Sequence, residues 1–195
     1  MTNLSIRCRC GASQGSVAVE PKSGMHVVCY CDDCRAFAYS LRRAELLDDV
    51  GGTELFATTP SHLTLSLGLE HLRCLRLSER GMLRWYWDCC NTPLATTRAS
   101  PGAPFVSIHR ACISVKDTTI LGPLTRIQAR YATGTPPAGA EQGTSLKTTT
   151  KIVIFLLIGK LRGANRPNPL FHQGRPVVDP RVLTPDERDA LRAFT

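Results

Sequence analysis

The sequence has no apolar stretch able to cross a bilayer. Its longest, Ile152 to Gly159, would span only about 12 Å as a helix against roughly 30 Å of hydrocarbon, which leaves it core or interface and not a membrane span. The start, Met1 to Cys10, carries Arg7 and Arg9 but no apolar run of the secretory kind. Nine cysteines is an odd number, so a disulfide framework is not expected; a reducing, cytoplasmic compartment is, with thiols available for metal. The five histidines (His26, His62, His71, His109, His172) show neither H-x-x-x-H nor H-E-x-x-H spacing, which excludes a histidine-based zinc helix. There is no internal repeat.

A formal charge of +8 raises the question of nucleic acid, and its distribution answers it. Residues 1–100 hold 11 Lys+Arg against 10 Asp+Glu, whereas residues 101–195 hold 13 against 6. The basic excess is scattered over the second half with little aromatic interleaving, as on a solvated face. Neither a nucleic acid nor a membrane partner is expected; an anionic small molecule needs less basic surface.

The first hundred residues read mainly as β-structure. Residues 15–19, 25–30, 53–57, 62–67, 71–77 and 82–87 are short alternating or β-rich runs, separated by turn residues at Lys22-Ser23-Gly24, Gly51-Gly52, Pro60-Ser61 and Arg80-Gly81. Within 33–47, Phe37, Leu41 and Leu46 recur at helical intervals and predict a short helix. Residues 98–104 form a connection, 105–115 resume a strand pattern, and the Gly/Pro/Ala-rich segment 132–143 is expected to be a mobile loop. Residues 145–161 are a helix candidate, with a strand as the alternative because of Ile152-Val153-Ile154. Thr184-Pro185-Asp186-Glu187 places a cap residue, proline at the first helical position and Glu three beyond the cap, starting a terminal helix that runs through Ala193.

What is present in abundance is closely spaced cysteine: Cys8-x-Cys10-Gly11, then Cys29-x-Cys31-x-x-Cys34, then Cys89-Cys90. Thiolates two or three residues apart converge on one ion, and a tetrahedral zinc at about 2.3 Å from each sulfur sets sulfurs about 3.8 Å apart. In a strand, Cys8 and Cys10 point to one face and supply half a site; Cys90, in Cys-Asn-Thr-Pro-Leu, resembles the second half of a zinc knuckle. The middle cluster supplies three thiolates within six residues, the arrangement of a reactive zinc with an open fourth position. Three thiolates on a divalent ion leave a charge of about −1, which suits binding a substrate thiol better than activating water. Asp32 and Asp33 are either solvated acids at a helix start or a second layer around this cluster.

The order of these three clusters, ending in a Cys pair followed by Thr-Pro-Leu, resembles the glutathione-dependent formaldehyde-activating enzyme family over roughly residues 5–97, and a divergent, uncharacterised branch of it. The resemblance implies a β-tent fold, one structural zinc on Cys8, Cys10 and the Cys89-Cys90 region, a second zinc on Cys29, Cys31 and Cys34 that meets glutathione, and carbon-sulfur lyase activity on S-hydroxymethylglutathione. Two departures stand out. The family ends in Cys-x-x-Cys-Gly, whereas here Trp87 occupies the first Cys position, Asn91 replaces the glycine, and the extra thiol is Cys89. Adjacent α-carbons are about 3.8 Å apart, so Cys89 and Cys90 reach one ion only if the backbone turns sharply between them; otherwise Cys89 is a free thiol or turns toward the second metal.

Cys74 and Cys112 read as covered, inert thiols, and His26 is the histidine nearest the middle cluster. Trp85-Tyr86-Trp87 reads as sheet packing or a substrate wall, Arg35 and Arg42-Arg43 as helix-surface charge or contacts for a glutathione carboxylate, and Gly163 to Phe171 as a rigid segment covering the sheet or closing a cleft. The expected architecture is a mainly β, zinc-binding β-tent of antiparallel sheets at residues 1–115 with a basic, partly helical C-terminal extension at 116–195. The expected function is thiol-adduct chemistry at the three-cysteine zinc. The alternative is a non-enzymatic binding or interaction module whose zinc is structural.

Overall fold

The computed structural model describes residues 1–20 and 24–192. The turn at Lys22-Ser23 and the last predicted helical residue, Ala193, lie outside them. The chain is mainly β. Strands β1 (Thr2–Arg7), β2 (Gln14–Val19) and β5 (Leu63–Leu67) form an antiparallel sheet in the order β1-β2-β5. A second sheet takes β3 (Met25–Cys29), β4 (Thr53–Thr58), β6 (Leu72–Arg76), β7 (Leu83–Trp87), β8 (Thr92–Thr97), β9 (Val106–His109), β10 (Leu124–Ile127) and a late two-residue strand, β13 (Arg181–Val182), in the order β10-β3-β4-β9-β8-β7-β6-β13. Its pairings are antiparallel except at the edges, where β10 joins β3 and β13 joins β6 in parallel. A small hairpin pairs β11 (Phe171–His172) with β12 (Arg175–Pro176).

Alternation along the strands gives the large sheet two unlike faces. One carries Phe56, Leu72, Cys74, Leu83, Trp85, Ala95, Val106 and Ile108, packed with Leu4, Ile6, Val17 and Leu63 of the small sheet as the main core. Trp85 and Trp87 are fully buried there, Trp85 donating from Nε1 to Thr97 at 3.0 Å, so the aromatic triplet packs the sheet and does not wall a cleft. Leu170 enters the same core, and Phe171 meets Trp85 edge-on at 6.1 Å, so the end of the Gly163 to Phe171 segment covers the sheet, while Asn165 to Asn168 line a cleft with Pro101 and Gly102. The other face carries Leu75, Leu77 and helix α1 (Asp32–Ser40), whose Phe37 and Ala36 pack on them. Strand β6 is thus covered on both sides at Cys74 and Leu75, which is why Cys74 is buried despite its parity opposite to Leu75.

The helix predicted over 33–47 stops at Ser40: Arg42 adopts φ 55° and breaks it, and Ala44–Leu46 is a separate single turn. Six strands escaped prediction: β1, β8, β10 and the two-residue β11, β12 and β13. β1 carries Leu4 and Ile6 in alternation; β8 is entirely buried yet reads Thr-Pro-Leu-Ala-Thr-Thr. Pro93 is accommodated in that interior strand opposite a register shift at Trp85/Tyr86, where one ladder bond is lost in any case.

The C-terminal part contains α2 (Leu146–Leu161) and α3 (Pro185–Arg192). The helix alternative holds for α2, with Ser145 accepting from the Thr148 N–H at 3.2 Å. α3 begins in a reciprocal cap: Thr184 Oγ1 accepts from the Glu187 N–H at 3.2 Å and Glu187 accepts from the Thr184 N–H at 2.9 Å. The segment expected to be a mobile loop is tied down, Gln128 N–H donating to Gly143 and Glu141 N–H to Arg126, while Glu141 accepts from Ser145 and Thr148 at the start of α2.

Candidate metal centre

Cys8 and Cys10 do not lie in a strand. β1 ends at Arg7, and the chain turns back through Gly11 at φ 81°, closed by Cys8 N–H to Ser13 and Gly11 N–H to Cys8. Side-chain parity is therefore not what aligns the two thiols; a tight turn is. The second half of the site is the four-residue turn between β7 and β8, where Asn91 at φ 52° supplies the sharp reversal that glycine would give. That reversal lets adjacent Cys89 and Cys90 face the same point.

The sulfur spacings settle the geometry: Cys8–Cys10 is 3.4 Å, Cys10–Cys89 3.5 Å, Cys8–Cys89 3.6 Å and Cys89–Cys90 3.9 Å. All four lie within 4.8 Å of one another, matching the roughly 3.8 Å edge of a tetrahedral thiolate site. Cys89 joins this group and does not turn toward the middle cluster. Ser13 N–H donates to Cys8 Sγ at 3.2 Å and Thr92 Oγ1 lies 3.1 Å from Cys90 Sγ. Burial opposes ionisation of both thiols, but the Ser13 N–H still brings Cys8 below its ordinary value, and the Thr92 hydroxyl with Cys10 brings Cys90 down to about 6. These are donors arranged for thiolates.

The second group is Cys29, Cys31 and Cys34, again within 4.8 Å of one another. Cys29 closes β3 and is buried; Cys31 is the residue preceding α1, with extended backbone, and Cys34 lies in the first turn, its N–H bonded to the Cys31 carbonyl at 3.0 Å. Cys31 and Cys34 are half-buried. Among the described residues no fourth Cys, His, Asp or Glu joins the three. Hydrogen bonds from Cys29 and Cys31, then the charge of Arg84, hold Cys34 well below the ordinary thiol range, while the same sharing pushes Cys29 up. The amide-rich start of α1 favours the same ionisation.

Arg84 has no counterpart in the sequence reading. It lies on β7 beneath α1, 3% exposed, its guanidinium 3.4 Å from Asp33 and 5.5 Å from the Phe37 ring. The signal was available as a charge inside the apolar run Leu83 to Trp87. Asp33 is thus the acid that orients Arg84, whereas Asp32 pairs with Arg35 at 2.8 Å. Phe37 also meets His109 at 5.3 Å. His109 is fully enclosed, and that burial, with Arg84 nearby, lowers its pKa to about 3.

Other candidates resolve differently. Arg35 is buried and donates to the Tyr131 carbonyl at 2.7 Å; it clamps α1 to the C-terminal part and is not a surface charge. Arg43 is buried, pairs with Glu45 and donates to the Cys90 carbonyl at 3.2 Å, so the segment after α1 braces the four-sulfur turn. Only Arg42 of these three is exposed. His26 points away from Cys29 by strand alternation; it pairs with Glu54 at 2.7 Å and lines a cleft of about 720 Å³ on the opposite face. Cys112 is buried with Sγ 3.0 Å from the His109 carbonyl.

No curated protein matches the chain. A crystal structure of a Rhodobacter sphaeroides protein is similar over 63% of this chain and 98% of that one, at 18% identity and a TM-score of 0.45. A family profile described as "Family of unknown function (DUF6151)" matches residues 2–180, nearly the whole described chain and all seven clustered cysteines, and the chain belongs to that family.

Proposed function

We propose that this protein holds two zinc ions on thiolates, a closed one on Cys8, Cys10, Cys89 and Cys90 and an open one on Cys29, Cys31 and Cys34, and that the open site handles adducts of a small thiol. The observation that carries this reading is the pair of unlike groups: four sulfurs with tetrahedral spacing in one, and in the other three sulfurs, one buried and two half-buried, with no fourth donor among the described residues. When bound at the second group, zinc would supply a Lewis-acidic vertex that lowers the pKa of an incoming thiol. The resemblance to formaldehyde-activating enzymes makes glutathione the thiol and S-hydroxymethylglutathione the adduct. In the lyase direction the carbon-sulfur bond breaks, its electron pair leaves with sulfur, and the hydroxyl proton passes to solvent as the carbonyl forms.

The chain's own part is positioning. The start of α1 fixes Cys31 and Cys34, and Arg84, held by Asp33, puts a positive charge beside a cluster that carries net negative charge. That charge favours an anionic thiolate arriving there.

Cobalt substitution tests the proposal. Glutathione should shift the visible cobalt bands of the intact chain, and Cys34→Ala should remain folded with one metal fewer and no such response. Bands indifferent to glutathione in the fully loaded protein would leave the metals purely structural and overturn the enzymatic reading.

A further inference from the structure

Helix α2 is the surface feature that the cysteine chemistry does not use. Its two buried residues are Thr148 and Gly159, and it approaches the body so closely that a Cβ on Gly159 would come within 2.9 Å of Pro104. At about 100° per residue, Thr148, Ile152, Phe155 and Gly159 share this inward side. Opposite them lie Leu146, Val153, Leu157 and Leu161, exposed by 83, 47, 55 and 87%, widened by Ile154 and Ile158. The same geometry places Lys160 along one border of the stripe and Lys151 along the other, with Lys147 inside it at the N-terminal end. Singly exposed leucines are ordinary; six exposed apolar side chains gathered on one side of a helix, interrupted by Thr150, mark an interaction surface.

Charge selects the partner. From residue 142 to 178 the sequence has six basic residues, Lys147, Lys151, Lys160, Arg162, Arg166 and Arg175, and no Asp or Glu; Glu141, the acid beside the start of α2, is engaged by Ser145 and Thr148 and offsets one of these charges, Lys151, in part. Pairing α2 with the α2 of a second copy would bring lysine borders together with no acid in this stretch to offset them. An anionic lipid surface complements both features at once, accepting the apolar stripe below the headgroups while the lysine stems reach up to the phosphates.

We propose that α2 lies flat on an anionic phospholipid surface and docks the protein there. This revises the expectation of no membrane partner, which rested on span length: α2, about 24 Å long, is too short to cross, and no described helix is long and apolar enough to do so. Lying in the interface requires no such length.

The test is cosedimentation of the full chain with vesicles of phosphatidylcholine alone and of equal parts phosphatidylcholine and phosphatidylglycerol. Binding to the anionic vesicles should be at least about tenfold the stronger and should weaken as salt rises. Leu157→Asp, at an exposed position, should keep the native circular dichroism spectrum and melting point yet lose about tenfold or more of that binding. Lys147→Glu with Lys151→Glu should act in the same direction. No binding to anionic vesicles at low salt, equal binding to both vesicle types, or binding unchanged by Leu157→Asp would each overturn the proposal. So would a lipid-indifferent dimer, seen by sedimentation equilibrium, that Leu157→Asp splits.

Discussion

Replacing Cys10 with alanine isolates the contribution of the four-sulfur site to stability. Cys8 is buried in the main core, so its truncation would confound lost packing with lost ligation, whereas Cys10 is exposed and its thiol lies 3.4 Å from Cys8 and 3.5 Å from Cys89. The site joins the turn after β1, in the small sheet, to the β7–β8 turn of the large one, across 79 residues of sequence. A cross-link closing about 80 residues removes chain entropy worth about 4.5 kcal/mol from the unfolded state. Against a typical total of about 5–15 kcal/mol this is a large share, and for a chain of this length it corresponds to roughly 10–18 °C in Tm. The assay is a thermal melt of the zinc-loaded protein and the variant, each with and without chelator. The expected result is a large chelator-induced drop for the parent and, for Cys10→Ala, a Tm already lowered most of the way with little further response. Superimposable parent melts with and without chelator, together with an unchanged Cys10→Ala, would refute the reasoning.

Other outcomes follow from the same geometry. Arg43→Met, which removes the donor to the Cys90 carbonyl and the partner of Glu45, should cost about 1–3 kcal/mol in denaturant melts and raise the metal off-rate from the four-sulfur site. In the metal-free protein, Cys90 is depressed to about 6, so the stability it contributes is present above the ordinary thiol value and is lost as pH falls through about 6; Cys90→Ser should flatten that part of the profile. His109 is depressed to about 3, so the unfolded chain binds the extra proton between about pH 6.5 and 3 and acid destabilises the fold by up to about 1.4 kcal/mol per pH unit there; His109→Gln should remove that slope in urea melts. Gly159→Leu should lift α2 from Pro104, costing about 1–3 kcal/mol and increasing amide exchange along the helix.

The sequence made the cysteine clusters legible because metal ligation is local: two or three donors sit within one turn, and spacing alone exposes them. What joined Cys10 to Cys89 is tertiary, and only Asn91 hinted that the second turn reverses sharply enough for adjacent thiols to converge. Strand β8 was hidden because a fully buried strand has no alternation, and its proline and threonines imitate a loop. Arg84 and Arg43 were opaque for a different reason. Charged side chains read as surface, and their burial follows from acceptors far off in sequence, Asp33 for one and the Cys90 carbonyl for the other.

The parallel edge strands β10 and β13 have a bearing on self-association. Both come from beyond residue 115, and each pairs with one rim of the large sheet: β10 along His26–Cys29, β13 at Leu75 and Arg76. A polypeptide ending at 115 would retain all seven clustered cysteines, yet its two bare rims would offer unpaired N–H and C=O groups to any neighbouring molecule. Such a truncation should self-associate on refolding, as light scattering would register, so the late segments act as guards against runaway sheet growth.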